Sequence, residues 1–133
     1  MLLLSRRQLF ISLALGVFFW LNAALIIRWV GPAVLAEGSP WVPVLLAVTL
    51  PLGAFTLLIY RWALGLAWGQ LFTPLVLGTS MAMVLDGVAL TYFKSLYGSS
   101  LEQVQLGAAL ILFGAGVGQF LAYLLTRRGG EGQ

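Results

Sequence analysis

The sequence predicts an all-α integral membrane protein, a bundle of four transmembrane helices with both termini cytoplasmic. Three observations predict it. Of the 133 residues, 61% are hydrophobic and 8% charged, far below the roughly 25% charged usage of soluble domains. Four apolar runs each reach the roughly 20 residues that cross about 30 Å of hydrocarbon as a helix. The basic residues are spread unevenly over the ends of those runs, which is how membrane orientation is encoded. Almost nothing is left for a soluble unit, so residues 1–133 read as a single membrane domain.

The first span covers about residues 8–30. SRRQLFI at 5–11 resembles a twin-arginine export motif, and VLA at 34–36 could be read as a processing site. However, the apolar run exceeds an ordinary signal-peptide core and Arg28 interrupts its far side, so the arginine pair reads as the basic stop of a membrane anchor. Phe18, Phe19 and Trp20 fall in mid-span. Three consecutive residues cannot share a helix face, so they read as lipid contact plus core packing rather than a stacking platform for a pigment or quinone.

The second span covers about 41–63. Ser39 offers an N-cap and Pro40 the first helical position. Pro51, in mid-span, frees the carbonyl four residues earlier, that of Ala47. Gly65 and Gly69 mark the turn into the third span, about 70–93, which carries the one carboxylate inside an apolar run, Asp86. Thr79, Ala82, Asp86 and Ala89 recur at three- and four-residue spacing and share a face of small residues, with Leu77, Met81, Val84 and Val88 roughly opposite. Small residues mark close helix approach, so Asp86 is expected to point into the bundle.

The fourth span covers about 102–126, with Ser100 and Gln103, or Ser99 and Glu102, as a capping box. Gly114, Gly118 and Ala122, with Gly107 one heptad earlier, form a small-residue ridge for helix packing. The expected neighbour is the third helix, since sequence-adjacent helices pack antiparallel; the alternative is a docking face for another subunit. GGEGQ at 129–133 reads as a flexible tail.

Arg6, Arg7, Arg61, Arg127 and Arg128 fall on one side and Arg28 and Lys94 on the other, so the positive-inside rule places both termini in the cytoplasm. Trp29, Trp41, Tyr92 and Tyr97 then form an outer aromatic belt, and Tyr60, Trp62, Trp68 and Tyr123 an inner one. Counting about 1.5 Å per residue from the outer ends brings Asp86, Asn22 and Thr49 to nearly one level. They are expected to form a buried polar cluster, with Arg28 and Lys94 as candidate charge partners for Asp86. Thr79 and Gln119 make a second, deeper polar layer.

Function is bounded mostly by exclusion. Without Cys or His there is no disulfide framework, thiolate chemistry or His-ligated haem, and no metal site is expected. GAGVG at 114–118 lacks the spacing of a phosphate loop, so no cofactor is expected either. The basic residues flank apolar runs instead of forming a nucleic-acid patch. Asp86 has no second membrane acid to relay a proton, so a role in helix register is favoured over ion chemistry.

MVLDGVALTYFKSLYG at 83–98, followed by LGAALILFGAGVG, resembles the third and fourth helices of a family of small uncharacterised bacterial four-helix membrane proteins, a domain of unknown function. The matching positions are Leu85, Asp86, Gly87, Tyr92, Phe93 and Tyr97, within residues 83–118. Lys94 and the short loop after it replace the family's proline-containing loop. The resemblance implies a four-helix fold centred on Asp86 and no activity. Small multidrug-resistance transporters resemble a different plan, with their carboxylate in the first helix, where this chain has Asn22.

The expected role is therefore a non-enzymatic accessory or scaffold subunit of a bacterial inner membrane. Its partners would be the lipid bilayer and either another membrane protein or further copies of the chain. Apolar helices rather than alternating strands favour the inner membrane over the outer. The alternative is a small proton-coupled transporter using Asp86.

Overall fold

The structure, a computed structural model, describes residues 3–131. It contains four helices, α1 (Arg6–Val34), α2 (Trp41–Leu64), α3 (Phe72–Tyr92) and α4 (Leu101–Glu131), with 3₁₀ turns at Trp68–Gln70 and Lys94–Leu96 and no strand among the described residues. All four helices are long and apolar enough to cross a membrane. The α1–α2 and α3–α4 connections lie at one end of the bundle, here the two-loop end; the α2–α3 connection lies at the opposite, termini end.

Local chemistry sets the helix limits. At Ser5 the backbone N–H donates to Gln8 Oε1 (3.0 Å) and the Gln8 N–H returns a bond to Ser5 Oγ (3.1 Å). This reciprocal box makes SRRQ a helix start. α1 runs past the expected residue 30 and through Pro32 to Val34. Pro32 has no N–H to offer the Arg28 carbonyl, which is left open to another donor. Ser39 acts one position further out than expected: Pro40 takes the N-cap, and the Trp41 N–H donates to Ser39 Oγ (3.3 Å). α2 stops at Gly65, whose φ of +66° is a left-handed conformation that glycine adopts without a Cβ penalty. Of the two boxes offered before α4, Ser100 is the cap, accepting from the Gln103 N–H at 3.1 Å. The expected tail at 129–133 instead continues α4 as far as Glu131, and its last two residues lie outside the described ones.

Pairing in the bundle is interleaved: α1 packs mainly on α3, and α2 mainly on α4. Two glycines explain the first pair. A Cβ added at Gly16 would collide with the Gly78 backbone, and one at Gly78 would collide with the Tyr60 hydroxyl and the Ser12 carbonyl. Only a bare backbone lets the two helices approach this closely.

The second pair corrects the neighbour expected for the α4 ridge, which turns mainly to α2 rather than α3. Gly114 faces Thr49, and the Gly118 backbone lies against Gly53, with the tip of Leu75 on its other side. Ala122 is buried among Leu57, Tyr60, Leu64, Leu71 and Leu75, while Gly107 receives Ile27 of α1. The ridge is therefore occupied by neighbours within the bundle.

Two apolar clusters fill the interior. One, toward the termini end, gathers Leu57, Tyr60, Leu64, Leu71, Leu75 and Ala122. The other, toward the two-loop end, gathers Ala24, Ile27, Leu35, Ala89, Tyr97 and Val104. Outside them, Val44, Val48, Leu52, Phe55, Leu58 and Trp62 stand exposed along α2. Of the residues assigned to aromatic belts, Trp29, Trp41, Tyr92, Trp62, Trp68 and Tyr123 are exposed, and the Arg61 guanidinium lies 4.8 Å over Trp68. Tyr97 and Tyr60 depart from that assignment, being 0% and 1% exposed.

Candidate functional site

The site follows from how α3 ends. The helix stops at Tyr92, Phe93 leaves helical geometry at φ −133°, and the turn Lys94–Leu96 reverses the chain. The reversal carries Tyr97 back over the end of the bundle, with its ring buried against Ala24 of α1, Ala89 of α3 and Val104 of α4. From there its hydroxyl donates to Asp86 Oδ1 at 2.5 Å and accepts from Trp20 Nε1 at 3.2 Å. One phenol thus joins α1, α3 and the connection between α3 and α4. Burial, and secondly the hydrogen bond to Asp86, push the Tyr97 phenol above its ordinary pKa, so it remains a donor at physiological pH.

A second junction lies just beyond it. Gln103, 4% exposed, projects from the first turn of α4. Its Nε2 donates to the Tyr97 carbonyl (2.9 Å) and the Ile27 carbonyl (3.2 Å), with the Arg28 carbonyl that Pro32 leaves open at 3.5 Å. Gly31 and Gly98 make room, because a Cβ at either would run into the Gln103 side chain. The neighbouring Glu102 carboxylate accepts from the Glu37 N–H, tying the α1–α2 loop to α4. Gln103→Leu is expected to leave the Tyr97 carbonyl, and the Arg28 carbonyl that Pro32 cannot serve, without donors and lower stability by about 2 kcal/mol, at roughly 1–3 kcal/mol per orphaned group. Unfolding in mixed micelles measures it; a loss below about 0.5 kcal/mol, the size of an ordinary surface substitution, would contradict the junction.

The termini end has its own clasp. The Tyr60 hydroxyl donates to the Ser12 carbonyl at 3.3 Å across Gly78, and its ring stacks on Phe19 at 6.1 Å.

Depth alone misplaced the other predicted site residues. Asn22 is exposed, and its Nδ2 donates to the Phe18 carbonyl of its own helix at 2.8 Å. Thr49 likewise bonds within α2, donating to the Leu46 carbonyl at 2.6 Å while its methyl faces Gly114. The expected cluster of Asp86, Asn22 and Thr49 therefore does not assemble, and Tyr97 and Trp20 take the two partners' places. Arg28 and Lys94 are exposed, and neither forms an ion pair with Asp86. No hydrogen bond joins Thr79 to Gln119; Gln119 instead lines a shallow groove with Phe72, Phe120 and Tyr123.

A signal for the missed residues was present in α1. Ser12, Gly16, Trp20 and Ala24 recur at four-residue spacing, a mostly small stripe that marks a packing face.

Chemically, the arrangement is a set of helix ties. Asp86 is 7% exposed, meets a neutral donor and forms no ion pair among the described residues. Comparison of the chain with protein families, with curated proteins and with solved structures returned no match.

Proposed function

We propose that the chain is a multi-pass protein of a bacterial inner membrane, with both termini cytoplasmic, that acts as a non-enzymatic accessory or scaffold subunit. One observation carries the reading: the buried polar side chains around Asp86, Gln103 and Tyr60 bond from one helix or loop to another. Such bonds hold a fixed bundle, and the one carboxylate among them, Asp86, is covered by the phenol from which it accepts. The membrane setting is supported by four helices of spanning length and by the apolar outer face of α2, which water would not tolerate as a continuous surface. The bias of Arg6, Arg7, Arg61 and Arg128 to one end supports the orientation.

The same geometry weighs against Asp86 as a proton carrier, because a carrier must meet water and Asp86 is covered by Tyr97. With the α4 ridge internal, a partner would dock on the outward apolar faces. Native mass spectrometry of the tagged protein, gently extracted from its own membrane, is expected to show a stable complex with another membrane protein or with further copies. A lone monomer under those conditions would contradict the scaffold role.

A further inference from the structure

Beside the central hydrogen bond, on the outer surface of the α1–α3 pair, runs an open groove of about 520 Å³, within the roughly 300–1,000 Å³ of small-molecule sites. Its walls are apolar over most of their length: Trp20 from α1, and Leu85, Val88 and Ala89 from α3. Toward the two-loop end the lining changes character. Arg28, eight residues or about 12 Å beyond Trp20 on α1, stands there with Ser95, and Phe93 and Leu96 close that end.

The Arg28 guanidinium makes no ion pair or hydrogen bond among the described residues, yet its backbone is fixed by Gln103. Lys94 adds a second cation next to Ser95. Of the acids of this end, Glu102 accepts from the Glu37 N–H, and neither Glu37 nor Glu102 lines the groove. The groove is thus apolar along its length and positive at one end, where the membrane reading puts the headgroup level.

We propose that this groove holds one phospholipid, its phosphate on the Arg28 guanidinium and an acyl chain along Trp20, Leu85 and Val88. The proposal rests on the membrane reading of the preceding section. Arginine matches a phosphate through paired N–H donors. The second groove, lined by Phe72, Gly116, Gln119, Phe120 and Tyr123, has no cation in its lining and serves as an internal control.

The test is native mass spectrometry of the delipidated protein in mild detergent, titrated with phosphatidylglycerol. One lipid should be retained per chain. Arg28→Gln should weaken retention about tenfold, the scale of one charge-assisted hydrogen bond. Val88→Trp should do the same by filling the groove with Arg28 in place, while Gly116→Leu, in the other groove, should change nothing.

Circular dichroism should show the helices of Arg28→Gln, a surface change, to be formed as in the wild type. Equal retention by wild type and Arg28→Gln, equal binding of diacylglycerol, or displacement by inorganic phosphate would each overturn the proposal, the last by indicating a free-anion site. Cell fractionation keeps the two readings separable. A chain recovered from membranes that fails the lipid test loses only the groove proposal, whereas a chain recovered from the soluble fraction loses the membrane reading itself.

Discussion

Gly78→Leu is expected to lower stability by about 3 kcal/mol or more, the upper range for overpacking, and to cut the yield of folded protein sharply. The new side chain has no room: its Cβ alone would meet the Tyr60 hydroxyl and the Ser12 carbonyl. The Ser12 carbonyl is backbone and cannot swing aside. The damage would spread, since α1 must move off α3, and Trp20, which sits on the same side of α1, would move with it away from Tyr97. Gly87→Leu and Gly116→Leu are the controls. Both glycines face open space, so these changes should stay within about 0.5 kcal/mol in the same micelle unfolding measurement. Equal tolerance at all three positions would contradict the α1–α3 crossing.

Tyr97→Phe is expected to cost about 3 kcal/mol while leaving the packing of the ring intact. Removing the hydroxyl takes the donor from the buried Asp86 Oδ1 and the acceptor from the half-buried Trp20 Nε1, at roughly 1–3 kcal/mol per orphaned group. Asp86→Asn should cost less, because its amide oxygen still accepts from the phenol. Asp86→Leu should cost more than Asp86→Asn, since it strands the Tyr97 hydroxyl in an apolar cluster. Chemical unfolding of the three variants in one detergent ranks them; a harmless Tyr97→Phe would show that the bond does not hold the bundle.

The helices were legible in the sequence because length and apolarity alone determine them: α2 begins at the expected residue and ends one residue late. Caps were legible to within one position, as Ser39 and Ser100 show. Helix pairing was less accessible. Adjacency in sequence favours α3 against α4, but Gly16 and Gly78 close α1 on α3, and such a contact appears only when the small stripes of two distant helices are compared.

The site was half legible. Asp86 lies on the small-residue face of α3, with Ala89 buried beside it and Val84 and Val88 exposed. Its partners were not found, because counting residues from a helix end gives depth and no direction around the axis. Asn22 and Trp20 are two residues apart, about 200° around a helix of 3.6 residues per turn, so one facing the bundle turns the other outward. Tyr97 was hidden for another reason. A tyrosine in a short loop matches an interfacial belt by composition, and only the chain reversal after Phe93 shows that it folds back into the core.

The central claim is that Asp86 is a tie between helices, held by Tyr97, rather than a carrier of ions. A double-mutant cycle of Asp86→Ala and Tyr97→Phe, read by unfolding in mixed micelles, tests it most directly. The two losses should be strongly non-additive, with a coupling of about 1 kcal/mol or more, the range found for residues in one hydrogen-bonded pair. Additive losses within about 0.5 kcal/mol would mean that the two side chains act independently, and would contradict the account.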